Sequence, residues 1–189
     1  MDKELKALID SDINRIYDVP LTSKQKLVLN KSLEYKYLRL WRKASYYKQN
    51  KPNSLLTKFY TYKLFELKNK TQISIPPETK IGPGLYIGHL GRIIINENAV
   101  IGKNVNLSTG ITIGQTNRGS QKGSPIIGDN VWIGTNAVIV GKIKIGDDVL
   151  IAPNAYVNMD VPSHSIVIGN PAVIHPSENA TKDYINRTC

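Results

Sequence analysis

Aliphatic residues recur every six positions through the second half of this chain, and that period limits the possible folds more than any other feature. The series runs Ile75, Ile81, Ile87, then Ile95, Ile101, Leu107 and Ile113, and returns as Ile127, Ile133, Ile139, Ile145, Ile151 and Val157. Glycine follows many of them, at 82, 88, 102, 114, 128, 134 and 146. A second small or branched residue recurs four places on, as Ala99, Val105, Ile111, Val131, Ala137, Ile143, Val149 and Ala155. A period of six fits neither a helix nor an ordinary hairpin sheet. It fits a parallel β-helix of hexapeptides, in which each unit makes one short strand and three units close a triangular coil. The aliphatics point into the prism, and glycine, asparagine or aspartate take the corners where positive φ is needed. Coils stack at the strand-pairing distance, roughly 4.8 Å, and each buries its aliphatics only against its neighbours.

Two places break the period. In IGPGLYIGHLGRIII, residues 81–95, a unit is due at 93 but the pattern resumes at Ile95, two residues late. His89 lies in the unit where the count slips, and it is the one histidine within the repeating body. The second break, NRGSQKGSPI at 117–126, has glycine, serine and charge and reads as an extruded loop. A loop leaving a rigid coil costs little and is a common place for function; the plainer alternative is a neutral insertion.

Residues 1–72 have a different character. They hold sixteen Lys and Arg against seven Asp and Glu, whereas residues 73–189 hold nine against eight. Ten of the fourteen aromatics are also here. The periodicity predicts a short helix over 2–17, a longer one from Thr22 or Ser23 to about Gln49, and a third over 54–68. The long helix should face inward through Leu29, Leu33, Tyr37, Leu40, Ala44 and Tyr47. The third carries two apolar strips, one of Leu56, Tyr60, Leu64 and Leu67 and one of Leu55, Phe59 and Tyr62, and both should be buried against the body or a neighbouring subunit. Basic helices of this kind suit a solvated face, an anionic ligand or peripheral contact with a membrane surface. No helix-turn-helix, zinc-ligand or RNP-type signature points to nucleic acid. There is no apolar run long enough to span a bilayer, no signal-peptide core in MDKELKALIDSD, and one cysteine, Cys189. A cytoplasmic setting, extending to the inner face of the membrane, is the expectation. The domain plan is a helical region over 1–72, a β-helix over 73–175, and a frayed or loosely docked tail over 176–189.

Residues 73–175 resemble the hexapeptide acyltransferases, and among them the serine acetyltransferases and related sugar O-acetyltransferases. The resemblance rests on GLYIGHLGRIIINENAVIGKNVNLSTGITIGQ, SPIIGDNVWIGTNAVIVGKIKIG and VPSHSIVIGNPAVI. It implies a mainly β fold, a left-handed β-helix behind an α-helical N-terminal region. It also implies transfer of acetyl from acetyl-CoA to a hydroxyl, in homotrimers whose sites lie between prisms. No metal is implied. His89 falls on the family's general base, which suits an imidazole that must deprotonate an attacking alcohol. Asn106 or Gln115 could donate to the tetrahedral oxyanion. The family's CoA positions fall on Gly114, Thr135, Pro153, Asn158 and Met159.

Several family groups that read free serine are missing. The residue before His89 is Gly88 where serine acetyltransferases have aspartate, and Ser74 stands where an aspartate orients the base. Gly123 and Ser124 replace an arginine and a histidine before Pro125, with Arg118 and Lys122 nearby. These departures favour a sugar hydroxyl of a surface polysaccharide or its precursor, contacted by Asn106, Gln115, Arg118, Lys122 and Ser124. Serine is the alternative acceptor. A non-catalytic trimer used for binding is the rival from another class. A zinc enzyme on the same prism would need three histidines between subunits, and His164 and His175 lie outside the repeat.

Overall fold

The computed structural model describes residues 2–189, with four helices ahead of the coil. Helix α1 (Lys3–Asn14) starts where Asp2 accepts from the Glu4 N–H. Helix α2 (Ser23–Lys31) opens on a capping box, Thr22 accepting from the Gln25 N–H and Gln25 from the Thr22 N–H. Helices α3 (Leu33–Asn50) and α4 (Leu55–Thr71) follow. The single long helix expected from 22 to 49 is divided at Ser32. Its backbone is extended, and its hydroxyl accepts from the Tyr35 N–H at 3.1 Å. A serine side chain competes with the helix in this way, so the apolar spacing runs on through the break. The break also resets the inward face of α3, which buries Tyr37, Leu38, Trp41 and Ala44. On α4, Leu64 is buried and Tyr60 and Leu67 pack on the core, while Leu55, Phe59 and Tyr62 face outward. The first expected strip is covered from Tyr60 onward, with Leu56 exposed, and the second is not covered.

The chain then winds through β1 (Ile73–Ser74), β2 (Lys80–Ile81) and β3 (Tyr86–Ile87) in its first coil. The second holds β4 (Ile93–Ile95), β5 (Val100–Ile101) and β6 (Asn106–Leu107), and the third β7 (Thr112–Gly114), β8 (Ile126–Ile127) and β9 (Val131–Ile133). The fourth holds β10 (Val138–Val140), β11 (Lys144–Ile145) and β12 (Val149–Ile151). The last holds β13 (Tyr156–Val157) and β14 (Ser165–Ile168), with β15 (Val173–Pro176) folded back antiparallel on β14. Three flat faces result, ordered β1-β4-β7-β10-β13, β2-β5-β8-β11 and β3-β6-β9-β12-β14. This is the left-handed parallel β-helix.

Pairing registers stack the aliphatics in columns: Ile95, Ile113, Ile139 and Val157 on the first face, Ile81, Ile101, Ile127 and Ile145 on the second, and Ile87, Leu107, Ile133 and Ile151 on the third. The stacking leaves no room for a β-carbon at some corners; one on Gly82 would lie 2.8 Å from the Gly102 carbonyl carbon. Ile133→Val removes one methyl from the middle of a column and is expected to cost about 1 kcal/mol in chemical denaturation.

Buried polar bonds seat the helices on the first coil. The Arg42 guanidinium meets the Asp12 carboxylate twice at 2.8 Å and donates to the carbonyls of Ile81 at 2.8 Å and Gly82 at 2.7 Å. Asp12 also accepts from the Leu85 N–H at 2.8 Å. Burial pushes the Asp12 carboxyl up, and the Arg42 charge and these hydrogen bonds pull it back. Tyr37 accepts from the Ile75 N–H at 3.1 Å, and the Trp41 indole donates to the Pro76 carbonyl at 3.2 Å.

The tail, expected to be frayed or loosely docked, is docked on the coil. Asp148 accepts from the N–H groups of Ala180 and Thr181 and the Thr181 hydroxyl, and meets His164 at 3.0 Å. The Tyr184 ring rests on Trp132 at 4.8 Å, and the Cys189 N–H donates to Asn104 at 3.0 Å. These polar anchors are scattered through coils two to five, which is why the tail's own sequence carries no sign of them. Hydrogen bonds from Thr181, His164 and Ala180 outweigh burial and hold the Asp148 carboxyl below its usual value. Its stabilisation is therefore complete above the unfolded value near 3.8 and fades as pH falls through the lower folded one. Asp148→Asn is expected to speed hydrogen exchange at Ala180 and Thr181 at neutral pH.

Candidate active site

The slip in the period becomes a bulge at one corner. From the third-face column to the first-face column, Leu107 to Ile113, Ile133 to Ile139 and Ile151 to Val157 each take six positions, but Ile87 to Ile95 takes eight. The extra length pushes out Gly88–Arg92, with His89 exposed and Leu90 turned down onto the core. Gly91, at φ 139°, turns the chain back, and a β-carbon there would lie 2.7 Å from Thr109 Oγ1. The Gly91 and Ile93 N–H groups donate to the carbonyls of Thr71 and Gln72, so the end of α4 pins the bulge. The imidazole has no hydrogen-bond partner among the described residues. Ser74 lies on the first face beside Ile94.

Register places other residues along the same edge. Because Leu107, Ile133 and Ile151 are paired in turn, Thr109, Thr135 and Pro153 follow one another two residues on, one per coil, and the bulge that carries His89 lies against Thr109 through Gly91. Both Thr135 and Pro153 are exposed. The ridge is held coil to coil by the Asn136 N–H on the Thr109 carbonyl at 3.0 Å and the Asn154 N–H on the Thr135 carbonyl at 2.9 Å. Roughly 4.8 Å per coil puts Thr135 two coils, about 10 Å, along the prism from the coil that carries the bulge, and Pro153 one coil further.

The remaining expected contacts lie across the first face, on its other edge. Gly114 pairs with Val140, and the next coil brings Asn158 into line, with Met159 half-buried beside it. The extruded loop rises from this ridge and is narrower than its composition suggests: Thr116 and Gly123 close it with two backbone bonds, and Ile126 is already strand. At its foot, Asn96 accepts from the Ser124 hydroxyl at 3.0 Å and donates to Gln115 at 3.4 Å, while Gln115 donates to Asn117 at 2.7 Å. Arg118 and Lys122 are exposed, with no ion pair among the described residues. Thus one ridge carries His89, Thr135 and Pro153, and the other carries Gly114, Gln115, Arg118, Lys122, Ser124, Asn158 and Met159.

Asn106 belongs to neither and is corrected as a candidate substrate contact. It is buried on the third face, its carbonyl accepting from Arg15 at 2.7 Å and its amide donating to the Tyr184 carbonyl at 3.1 Å. Helix α1 and the tail use both ends of the amide. Asn96 is the polar group that sequence reading passed over, and its place right after the aliphatic Ile95 was its one signal. His164 and His175 lie at the far end of the coil, on a corner and on β15.

Comparison with known proteins agrees with the fold. A family model described as bacterial transferase hexapeptide (six repeats) matches residues 124–158. A serine acetyltransferase of Staphylococcus aureus (strain N315) is 43% identical over 104 residues, 55% of this chain and 49% of that protein. Serine acetyltransferase 4 of Arabidopsis thaliana is 42% identical over 100 residues, 53% of this chain and 28% of its own length. Among solved structures, the soybean serine acetyltransferase apoenzyme superposes with a TM-score of 0.77 at 27% identity, covering 92% of this chain and 70% of that one. The Brucella abortus serine acetyltransferase in complex with coenzyme A gives 0.77 at 26%, covering 93% and 69%. The chain spans about half or less of the length of these curated relatives.

Proposed function

We propose that this chain, a hexapeptide-repeat β-helix resembling the serine acetyltransferases, transfers acetyl from acetyl-CoA to a hydroxyl with His89 as general base. The observation that carries the proposal is the exposed imidazole on a two-residue bulge, heading the ridge that continues through Thr135 and Pro153. The imidazole takes the hydroxyl proton as the oxygen attacks the thioester carbonyl. The C–O bond forms, the C–S bond breaks, and the proton passes from the imidazolium to the departing CoA thiolate. CoA lies along the prism, against Thr135 and Pro153 of one copy and the Gly114, Asn158 and Met159 ridge of a neighbour. Gln115 faces the developing oxyanion. A homotrimer supplies both ridges to each cleft, since one chain holds them on opposite edges of its first face.

The relatives favour L-serine as the acceptor, ahead of the sugar hydroxyl that the motif departures alone favour. A specific observation keeps the sugar as a second reading: Ser74, Gly88, Gly123 and Ser124 leave neutral hydroxyl and amide groups, with Asn96, where serine's ammonium and carboxylate would need charged partners. Arg118 and Lys122 then meet an acidic sugar or the CoA phosphates. The test is release of free CoA from acetyl-CoA with L-serine and with a panel of sugars and oligosaccharides. Turnover on L-serine supports the first reading and turnover confined to a saccharide the second. No release with any acceptor leaves a non-catalytic binding protein and removes the enzyme reading.

A further inference from the structure

We propose that the outward side of α4 docks on the surface of an anionic lipid bilayer. At 100° per residue, Leu55, Phe59 and Tyr62 share the side opposite Leu64, with Phe65 beside them. Leu55 is 82% exposed, Phe59 53%, Tyr62 60% and Phe65 61%. Single exposed apolar residues are ordinary, but a continuous stripe of this size marks an interaction surface. The surface extends past the helix, because Phe65 borders an apolar groove of about 180 Å³ formed with Leu64, Pro76 and Pro77, with Lys68 also lining it.

Charge decides between occupants. Helix α4 carries Lys58, Lys63, Lys68 and Lys70 against Glu66 alone, and Lys63 is spent on Glu66 at 2.9 Å. Three lysines remain beside the stripe, in a region of sixteen cations and seven anions. A second copy packed stripe to stripe would bring like charges together, whereas anionic headgroups neutralise them while the aromatic rings enter the interface. The helix lies along the membrane in this arrangement; no described helix is long and apolar enough to cross one.

The test is co-sedimentation of the full chain with vesicles of phosphatidylcholine and phosphatidylglycerol, against phosphatidylcholine alone, with sedimentation of the free chain in parallel. Binding is expected to the anionic vesicles, to weaken with salt, and to fall at least about tenfold in Phe59→Ser/Phe65→Ser. Lys58→Glu/Lys70→Glu is expected to weaken it similarly without touching an apolar group. These side chains are exposed, so circular dichroism and the melting temperature should stay unchanged. No vesicle binding, or equal binding by both variants, overturns the proposal. A drop in oligomer mass in the Phe variant would also overturn it, by assigning the stripe to a second copy.

Discussion

His89→Ala is expected to lower acetyl transfer by roughly 10²–10⁴-fold, with the oligomer and its melting temperature unchanged. The magnitude follows from chemistry: an alcohol attacks a thioester poorly while it keeps its proton, and the ridge offers no other group at that place to take it. Structure should survive because the ring is exposed and makes no hydrogen bond among the described residues. Leu90 and Gly91, which hold the bulge down, are untouched. CoA release under saturating acetyl-CoA reads the effect. An unchanged rate would remove the imidazole from the reaction.

The largest loss of stability should come from Arg42→Ala. The guanidinium is nearly fully buried and holds Asp12 and the carbonyls of Ile81 and Gly82 together. Removing it leaves a buried carboxylate whose remaining donor is the Leu85 N–H, and breaking a pair of this kind costs about 3–5 kcal/mol. Chemical denaturation should show that loss, with helices α1 and α3 exchanging faster than the coil. Replacing Asp12 and Arg42 together by apolar residues should cost less than Arg42→Ala alone, because no charge is then stranded. Equal losses would mean that packing, and not the ion pair, seats the helices.

Most of the prism was legible in the sequence because its core is one-dimensional. Each aliphatic needs only the residue above and below it, so a period of six implies face, register and stacking together. The slip at His89 was legible for the same reason: against a strict period, two extra residues stand out. The helices were harder to read. Ser32 divides a continuous apolar pattern by accepting from the Tyr35 N–H, and Asp12 and Arg42 resemble the other charges until the first coil supplies the backbone groups they bond. Asn106 failed as a site residue because its partners, Arg15 and Tyr184, lie 91 and 78 residues away. For the acceptor, two kinds of observation pull in opposite directions. The missing aspartate at Gly88 and the missing histidine at Ser124 point away from serine, while identity across 104 residues points toward it.

In the proposed trimer the His89 ridge and the loop ridge are halves of one site, joined only when two prisms meet. Mixed assembly tests it most directly. A His89→Ala chain keeps the loop ridge, and a chain with residues 117–122 replaced by a glycine pair keeps the histidine; neither alone should turn over acetyl-CoA. Dissociated and reassembled together in equal amounts, they should recover about a quarter of the unaltered rate, the share of clefts that draw an intact half from each chain. A mixture as inactive as its components would rule out the shared cleft, because it would mean that each site is complete within one chain.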